Sequence, residues 1–141
     1  MSIPFESENS SEFNNENAFC TYLLTIRCVR FSREEAVDFH KYFMKLSSAG
    51  CEVLVVDGSP PEVFAEHAEE WRSVCHHAPV DPQYKYLNGK VNGIHTGIAL
   101  AAHDRIILAD DDIRYTPDDI RRMADLLENY DMVRPQNYLR P

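Results

Sequence analysis

Several kinds of segment are missing from this 141-residue sequence, and each absence excludes a class of protein. No stretch approaches the roughly 18 consecutive apolar residues of a membrane-spanning helix. Residues 1–18 lack the basic and apolar regions of a signal peptide, so we expect a cytoplasmic protein with no transmembrane segment. No glycine occurs between Arg27 and Phe31, after the first predicted strand, which argues against the phosphate-binding loop of nucleotidyltransferases.

Positive charge is also scarce. The chain has 14 Lys and Arg residues against 23 Asp and Glu residues, which gives a formal net charge of −9. Because the basic residues are scattered along the sequence, nucleic acid and anionic membranes are poor partners. A phosphorylated ligand would need a cation, or a local set of hydrogen-bond donors, to offset the repulsion.

The cysteines and histidines form no regular ligand pattern. No Cys-x-x-Cys pair occurs, and Cys20, Cys28 and Cys51 lie in or beside apolar runs, which is typical of reduced, buried thiols. Zinc is not expected at the triplet 75–77 (Cys-His-His), because neighbouring residues on a strand point to opposite faces. The other histidines are expected at helix surfaces or ends, without a catalytic partner: His40, His67, His95 and His103.

Strand-like and helix-like segments alternate after residues 1–18, which are expected to form a disordered acidic tail. Apolar runs predict five strands, at Phe19–Cys28, Cys51–Val56, Val74–His77, Arg105–Ala109 and from Met132 onward. Capping signals and helical spacing predict four helices, beginning after Ser32, after Ser59, at Lys90 and after Thr116. This order predicts one α/β domain over residues 19–141, with a Rossmann-like, mostly parallel sheet of about five strands and helices on both faces.

Acidic side chains follow two of the predicted strands. Asp57 ends the second strand, and Asp110, Asp111 and Asp112 follow the fourth. Ligands of open parallel sheets bind at the carboxyl ends of strands, so these positions are candidates for function. Three adjacent carboxylates repel one another unless a positive charge compensates them, and residues two apart can converge on one cation. The competing interpretation is a solvated acidic turn that caps the next helix.

The donor atoms of the triplet indicate which ion would bind. Carboxylate oxygens without histidine or cysteine favour Mg²⁺ or Mn²⁺ over zinc. We therefore expect Asp110 and Asp112 to hold a divalent ion whose remaining positions are open to phosphate oxygens. Such an ion would supply the positive charge that the chain lacks.

Three segments, in order, resemble the GT-A fold glycosyltransferases of family 2. They are Glu52–Ser59 (EVLVVDGS), Asn88–Gly97 (NGKVNGIHTG) and Arg105–Asp118 (RIILADDDIRYTPD), the last being similar to the family's DXD segment. The resemblance spans roughly residues 20–135. One departure is Arg27–Arg30, which replaces the family's Pro-x-x-Asn type of turn.

The resemblance implies a role for each matching residue. Asp57 would contact the base or ribose of a nucleotide, and Thr25 would line the nucleotide pocket. Lys90 would lie near the diphosphate or base. Asp110 and Asp111 would face ribose and sugar hydroxyls or share the metal, and Asp112 would be a metal ligand. No catalytic base is identified.

The resulting expectation is a metal-dependent, hexosyltransferase-type enzyme that transfers a sugar from a nucleotide-diphosphate-sugar donor to an unknown acceptor. Relatives carry an acceptor site and, when inverting, a general base in sequence that follows this region, so we expect the donor-binding half of such an enzyme. The alternative is a truncated, non-catalytic nucleotide- or metal-binding module that associates through an exposed sheet edge. A phosphoacceptor receiver domain would need its aspartates on the first and third strands, an order that this chain lacks.

Overall fold

The computed structural model describes residues 19–103 and 105–129 of the chain. Four strands are present there: β1 (Thr21–Ile26), β2 (Glu52–Asp57), β3 (His76–Pro79) and β4 (Ile106–Ala109). Four helices alternate with them: α1 (Arg33–Ser48), α2 (Pro61–Trp71), α3 (Gly89–Leu100) and α4 (Pro117–Asn129). None of these helices is both long enough and apolar enough to cross a bilayer. The predicted acidic tail and the predicted strand at Met132 lie outside the described residues.

The four strands form one fully parallel sheet in the order β3-β2-β1-β4. β1 is central, with Ile26 paired to Asp57 of β2 and Leu24 paired to Ala109 of β4. The chain moves outward from β1 through β2 to β3, and then crosses back so that β4 pairs with the other side of β1. The predicted Rossmann-like α/β class is thereby confirmed, with four strands in the described part rather than about five. The strand order reverses between β1 and β4.

Alternating residues of the strands face two separate apolar layers. Tyr22 and Leu24 of β1 pack with α1, α2 and α4, where Trp71 of α2 donates a hydrogen bond from Nε1 to the Ala36 carbonyl at 2.9 Å. Leu23 faces the other side, in a smaller cluster with residues that flank and form α3. The helices therefore cover both faces of the sheet, as the nearly continuous apolar strands predicted.

Close backbone approach holds α3 against β1. A Cβ atom built on Gly97 would lie 2.3 Å from Cδ1 and 3.0 Å from Cγ of the buried Leu23, so that side chain would have to shift. Glycine thus lets the helix lie directly on the strand, although it lowers helix propensity. The segment after α3 is held by the buried Glu52 carboxylate, which accepts a hydrogen bond from the Ala102 amide at 3.1 Å.

Two helix boundaries predicted from capping signals behave differently. Ser32 caps α1 as predicted, with its hydroxyl oxygen accepting from the Glu35 amide at 3.2 Å, and Gly50 ends that helix with φ of +97°. The predicted Ser59 cap of α2 is wrong, because Pro60 is the N-cap residue and makes no side-chain capping bond. Ser59 Oγ instead accepts from the Cys28 amide at 2.8 Å, which joins the loops that follow β1 and β2.

Candidate active site

A cavity of about 570 Å³ lies at the carboxyl edge of the sheet, where the strand order reverses. Its walls come from the ends of β1, β2 and β4 and from the first turns of α3. Sheets of this topology commonly bind their ligands at that position. The volume lies within the range of roughly 300–1,000 Å³ that is typical of small-molecule sites.

The first turns of α3 are fixed at the rim of this cavity. A Cβ atom on Gly93 would lie 3.1 Å from Cγ2 of Thr25, so glycine allows the helix to approach the end of β1. Asn88 caps the helix, its side-chain oxygen accepting from the Lys90 amide at 2.8 Å. Thr25, Gly93 and Lys90 consequently line the same cavity.

An ion pair crosses the mouth of the cavity. Nζ of Lys90 lies 2.5 Å from Oδ1 of Asp110, and the two side chains are 55% and 52% exposed. Surface pairs of this kind contribute little to stability, at most about 1 kcal/mol. The ammonium group therefore acts chiefly as a cation beside Asp110 that solvent and ligands can displace.

The three aspartates occupy the turn that follows β4. Asp110 and Asp111 line the cavity, whereas the exposed Asp112 is not among the lining residues. Nη1 of Arg114 donates to the Asp111 carbonyl at 2.7 Å, while its guanidinium group lies 4.2 Å above the ring of Phe39. This packing of the arginine on the core braces the turn and leaves the carboxylates accessible.

Asp57 has a different environment from the other aspartates. Its side chain is fully buried, and Oδ2 lies 2.7 Å from Nδ1 of His67 and 2.9 Å from Nε2 of His77. Oδ1 accepts from the Ser59 amide at 2.9 Å. Burial by itself would raise the pKa of Asp57, but the hydrogen bonds from His67, His77 and Ser59 outweigh it and hold the pKa well below its usual value.

The same three side chains form a group with metal-ligating chemistry. One ligand atom each from Asp57, His67 and His77 lies within 4.8 Å of the others. Within the described residues it is the one such grouping of three. Zinc was not expected at the Cys75-His76-His77 segment, but His77 takes part in this group because its partners lie on β2 and α2 rather than nearby in the sequence.

The sequence model of the family described as Glycosyl transferase family 2 matches residues 41–140 of the chain. The chain belongs to this family. No curated protein and no solved structure shows a match to it. Asp57, Lys90 and the three aspartates fall within the matched range, whereas Thr25 and the rest of β1 precede it.

Family membership assigns glycosyl transfer to this domain in general terms. A family 2 glycosyltransferase implies a nucleotide-sugar donor and an acceptor, and the family generally uses a divalent metal ion. The described residues of this member also contain the group Asp57, His67 and His77, which could hold a metal ion. The resemblance stated from three sequence segments is thereby confirmed.

The structure of this glycosyltransferase domain brings some of the candidate residues together and separates others. Thr25, Lys90, Asp110 and Asp111 surround one cavity. Asp57 is not among the lining residues, although its neighbours Val56 and Gly58 are. The resemblance implied that the Asp57 carboxylate would contact the nucleotide. In the structure it is hydrogen-bonded to two imidazoles and a backbone amide instead.

The histidines beside Asp57 were not predicted as functional residues from the sequence. His67 was expected at a helix surface, but it is buried, at 3% exposure. A signal was available, since Val63, His67 and Trp71 recur at four-residue intervals and form the buried face of α2. No comparable signal marks His77, because only the pairing of β2 with β3 brings it to Asp57.

Proposed function

We propose that this family 2 domain transfers a sugar from a nucleotide-diphosphate-sugar donor in a metal-dependent reaction. The observation that carries the proposal is the cavity at the strand-order reversal, lined by Thr25, Lys90, Asp110 and Asp111. It combines a volume suited to a nucleotide with cationic and carboxylate groups that face one space. The acceptor is not specified by these contacts.

The charges around the cavity support a metal requirement. Two cationic side chains, Lys90 and Arg27, and two anionic ones, Asp110 and Asp111, line it among the described residues. Their formal charges cancel, so a diphosphate would enter without net attraction from the walls. A divalent cation would supply positive charge there and would also offset the repulsion of a diphosphate by a chain of net charge −9.

The donor atoms at the turn after β4 fit Mg²⁺ or Mn²⁺. Asp110, Asp111 and Asp112 offer only carboxylate oxygens, they are exposed, and Arg114 braces the turn that carries them. We assign the ion to Asp110 and Asp112, with Asp111 towards the donor. When bound, the ion would neutralise the diphosphate leaving group as the glycosidic bond breaks.

The protein's own groups then bind and orient the donor. Lys90 is held by the Asn88 cap at the cavity mouth, where its ammonium group can leave Asp110 and donate to a phosphate oxygen. Thr25 presents a short polar side chain at the end of β1 for the nucleotide. Asp57 holds the Gly58–Ser59 backbone at the cavity rim through the Ser59 amide and so acts as a positioning residue.

Calorimetric titration with UDP, GDP and dTDP, with and without Mn²⁺, tests the proposal. We expect one nucleotide to bind the wild type more tightly with Mn²⁺, and Asp112→Ala to lose at least about tenfold in that affinity, equivalent to about 1.4 kcal/mol. Asp118→Ala is the matched control, because Asp118 is also exposed but lies in the first turn of α4. Binding indifferent to metal and to Asp112→Ala would contradict the proposal.

A turnover assay distinguishes a catalytic domain from a non-catalytic binding module. Donor hydrolysis or transfer assayed with Mn²⁺ should accompany binding if the domain is catalytic. Metal-dependent nucleotide binding with no turnover in the full chain would instead favour the non-catalytic module.

A further inference from the structure

The group of Asp57, His67 and His77 lies apart from the proposed donor site. It joins the end of β2, the middle of α2 and the start of β3. The side chains are 0%, 4% and 4% exposed, respectively, and they are not among the residues that line the cavity. A buried carboxylate needs a compensating positive charge or hydrogen bonds, and here two imidazoles face one of its oxygens.

The spacing of the ligand atoms is close to that of a tetrahedral metal site. Bonds of about 2.0–2.1 Å to zinc place tetrahedral ligand atoms about 3.3 Å apart. Asp57 Oδ2 lies 2.7 and 2.9 Å from the two histidine nitrogens. Opening these distances by about 0.5 Å would make room for the ion. Each neutral imidazole would then carry its proton on the ring nitrogen that faces away from Asp57.

Surrounding groups hold the three ligands in orientation. The ring of His67 stacks on Trp71 with centroids 4.3 Å apart, and the ring of His77 stacks on Phe64 at 4.2 Å. The Ser59 amide fixes the second carboxylate oxygen of Asp57. Metal-binding histidines and carboxylates depend on such supporting contacts for geometry and affinity.

The donor set and its burial select the type of ion. Two imidazole nitrogens and one carboxylate oxygen suit zinc and disfavour Mg²⁺, which requires hard oxygen ligands. A six-coordinate ion such as iron(II) would need three further positions. A tetrahedral ion needs only one further ligand, such as a water, which suits a site whose three side chains are almost fully buried.

We propose that Asp57, His67 and His77 bind one Zn²⁺ ion, distinct from the ion of the donor site. The ion replaces the two hydrogen bonds to Asp57 and ties α2 to the end of β2 and the start of β3. It fixes the Gly58–Ser59 loop at the cavity rim.

The tryptophan of this chain, Trp71, reports on the site directly. It is the sole tryptophan in the sequence, and its ring centroid lies 4.3 Å from that of His67 and 5.5 Å from that of His77. We expect Co²⁺, as a paramagnetic substitute for zinc, to quench the fluorescence of the full-length, metal-stripped chain at one equivalent. Zn²⁺ should reverse the quenching, whereas excess Mg²⁺ should not.

Substitutions distinguish this site from the donor site. His67→Gln and His77→Gln should each weaken Co²⁺ binding by about a hundredfold or more, because each removes a ligand. Asp112→Ala should leave the quenching unchanged, so the zinc proposal can fail independently of the proposed donor site. His95→Gln is the matched control, since His95 also stacks on aromatic rings, those of Tyr84 and Tyr86.

A measurement on the wild type covers the case in which a histidine variant does not fold. Nuclear magnetic resonance of imidazole nitrogens should show two of the six histidines changing on addition of one equivalent of Zn²⁺. The proposal is overturned if Co²⁺ fails to quench Trp71, if folded His67→Gln and His77→Gln proteins bind like the wild type, or if the histidine resonances do not respond to Zn²⁺.

Discussion

Nζ of Lys90 lies 2.5 Å from Oδ1 of Asp110, so the first turn of α3 is joined to the turn after β4 across the mouth of the cavity. The lysine therefore occupies the place beside Asp110 that a metal ion would take. Under the proposed function, ligand binding in this cavity becomes a competition between the ammonium group and a divalent ion for one carboxylate.

Removal of the Lys90 charge should affect the two ligands in opposite directions. We expect Lys90→Met to lower the affinity for a nucleoside diphosphate by about tenfold, because a charge-assisted hydrogen bond is lost. The same substitution should raise the affinity for Mn²⁺ alone, since Asp110 no longer has a competing cation. Calorimetry of each ligand separately measures both effects. Lys85→Met, which removes an exposed lysine outside the cavity, is the control, and equal behaviour of the two variants would refute the competition.

The contact of α3 with β1 predicts the sign of a glycine substitution. Alanine at a helical position is usually favoured over glycine by about 1 kcal/mol. Gly97→Ala should nevertheless destabilise the fold by about 1–3 kcal/mol, because the new methyl group overlaps Leu23. Urea unfolding measures the change. Gly89→Ala is the control, since no atom lies within 4 Å of its Cβ position, and a Gly97→Ala protein as stable as this control would contradict the close contact.

The environment of Asp57 predicts part of the acid sensitivity of the metal-free protein. Burial acts to raise the pKa of Asp57. Hydrogen bonds from His67, His77 and Ser59 outweigh this effect and hold the pKa below its value in the unfolded chain, about 3.9. Such a carboxyl group stabilises the fold at pH values above its pKa in the unfolded chain. This contribution is lost as the pH falls towards its pKa in the folded protein.

The free energy of unfolding, measured by urea titration in EDTA, should therefore fall between about pH 4 and pH 2 in the wild type. The Asp57→Asn variant should show a shallower dependence, because asparagine has no proton to gain. Asp118→Asn, at an exposed position, should retain the wild-type slope. The same slope in all three proteins would show that Asp57 does not carry the effect.

Thiol reactivity should follow burial along the chain. All four cysteines are free, and Cys28 is half-buried while Cys20, Cys51 and Cys75 are buried. The hydrogen bond with Cys20, and then burial, raise the pKa of Cys51, and burial raises the pKa of Cys75. Burial also raises the pKa of Cys28, but Cys28 is the one cysteine of the four that is not buried, so we expect iodoacetamide, which reacts with thiolates, to modify it first. Peptide mass spectrometry measures the order, and urea should make the four rates similar. Early modification of Cys51 in the native protein would contradict the buried Cys20–Cys51 contact, in which the sulfur atoms are 3.7 Å apart.

The element order was predictable because its signals are local. Apolar runs placed β1 and β2 within two residues of their observed ends, and Ser32 with Gly50 bounded α1. Ser59 shows the limit of that reasoning, because the same residue type and spacing suggested a cap. The tertiary fold instead brought the Cys28 amide to its hydroxyl group, which a local pattern does not reveal.

The candidate donor site was predictable to a similar extent. The pairing of β1 with β4, which was not predicted, brings Thr25 and Asp110 to one edge of the sheet. From the resemblance to family 2, both residues were expected at the nucleotide site. The Lys90–Asp110 ion pair was not, since it depends on how far α3 slides along β1. That distance is set by Gly93 and Gly97, whose missing side chains admit the helix.

The sequence by itself determined the α/β class, the alternation of strands and helices, the acidic character and the resemblance to family 2 glycosyltransferases. Hydrophobic periodicity, capping signals and motif order depend on the positions of residues along the chain, so they can be recognised without a structure. Only the tertiary structure decided that Asp57 belongs with His67 and His77 rather than with the cavity. The reason is that a buried carboxylate forms hydrogen bonds with the donors that the packing of α2 and β3 brings close to it. That packing depends on contacts between distant parts of the chain.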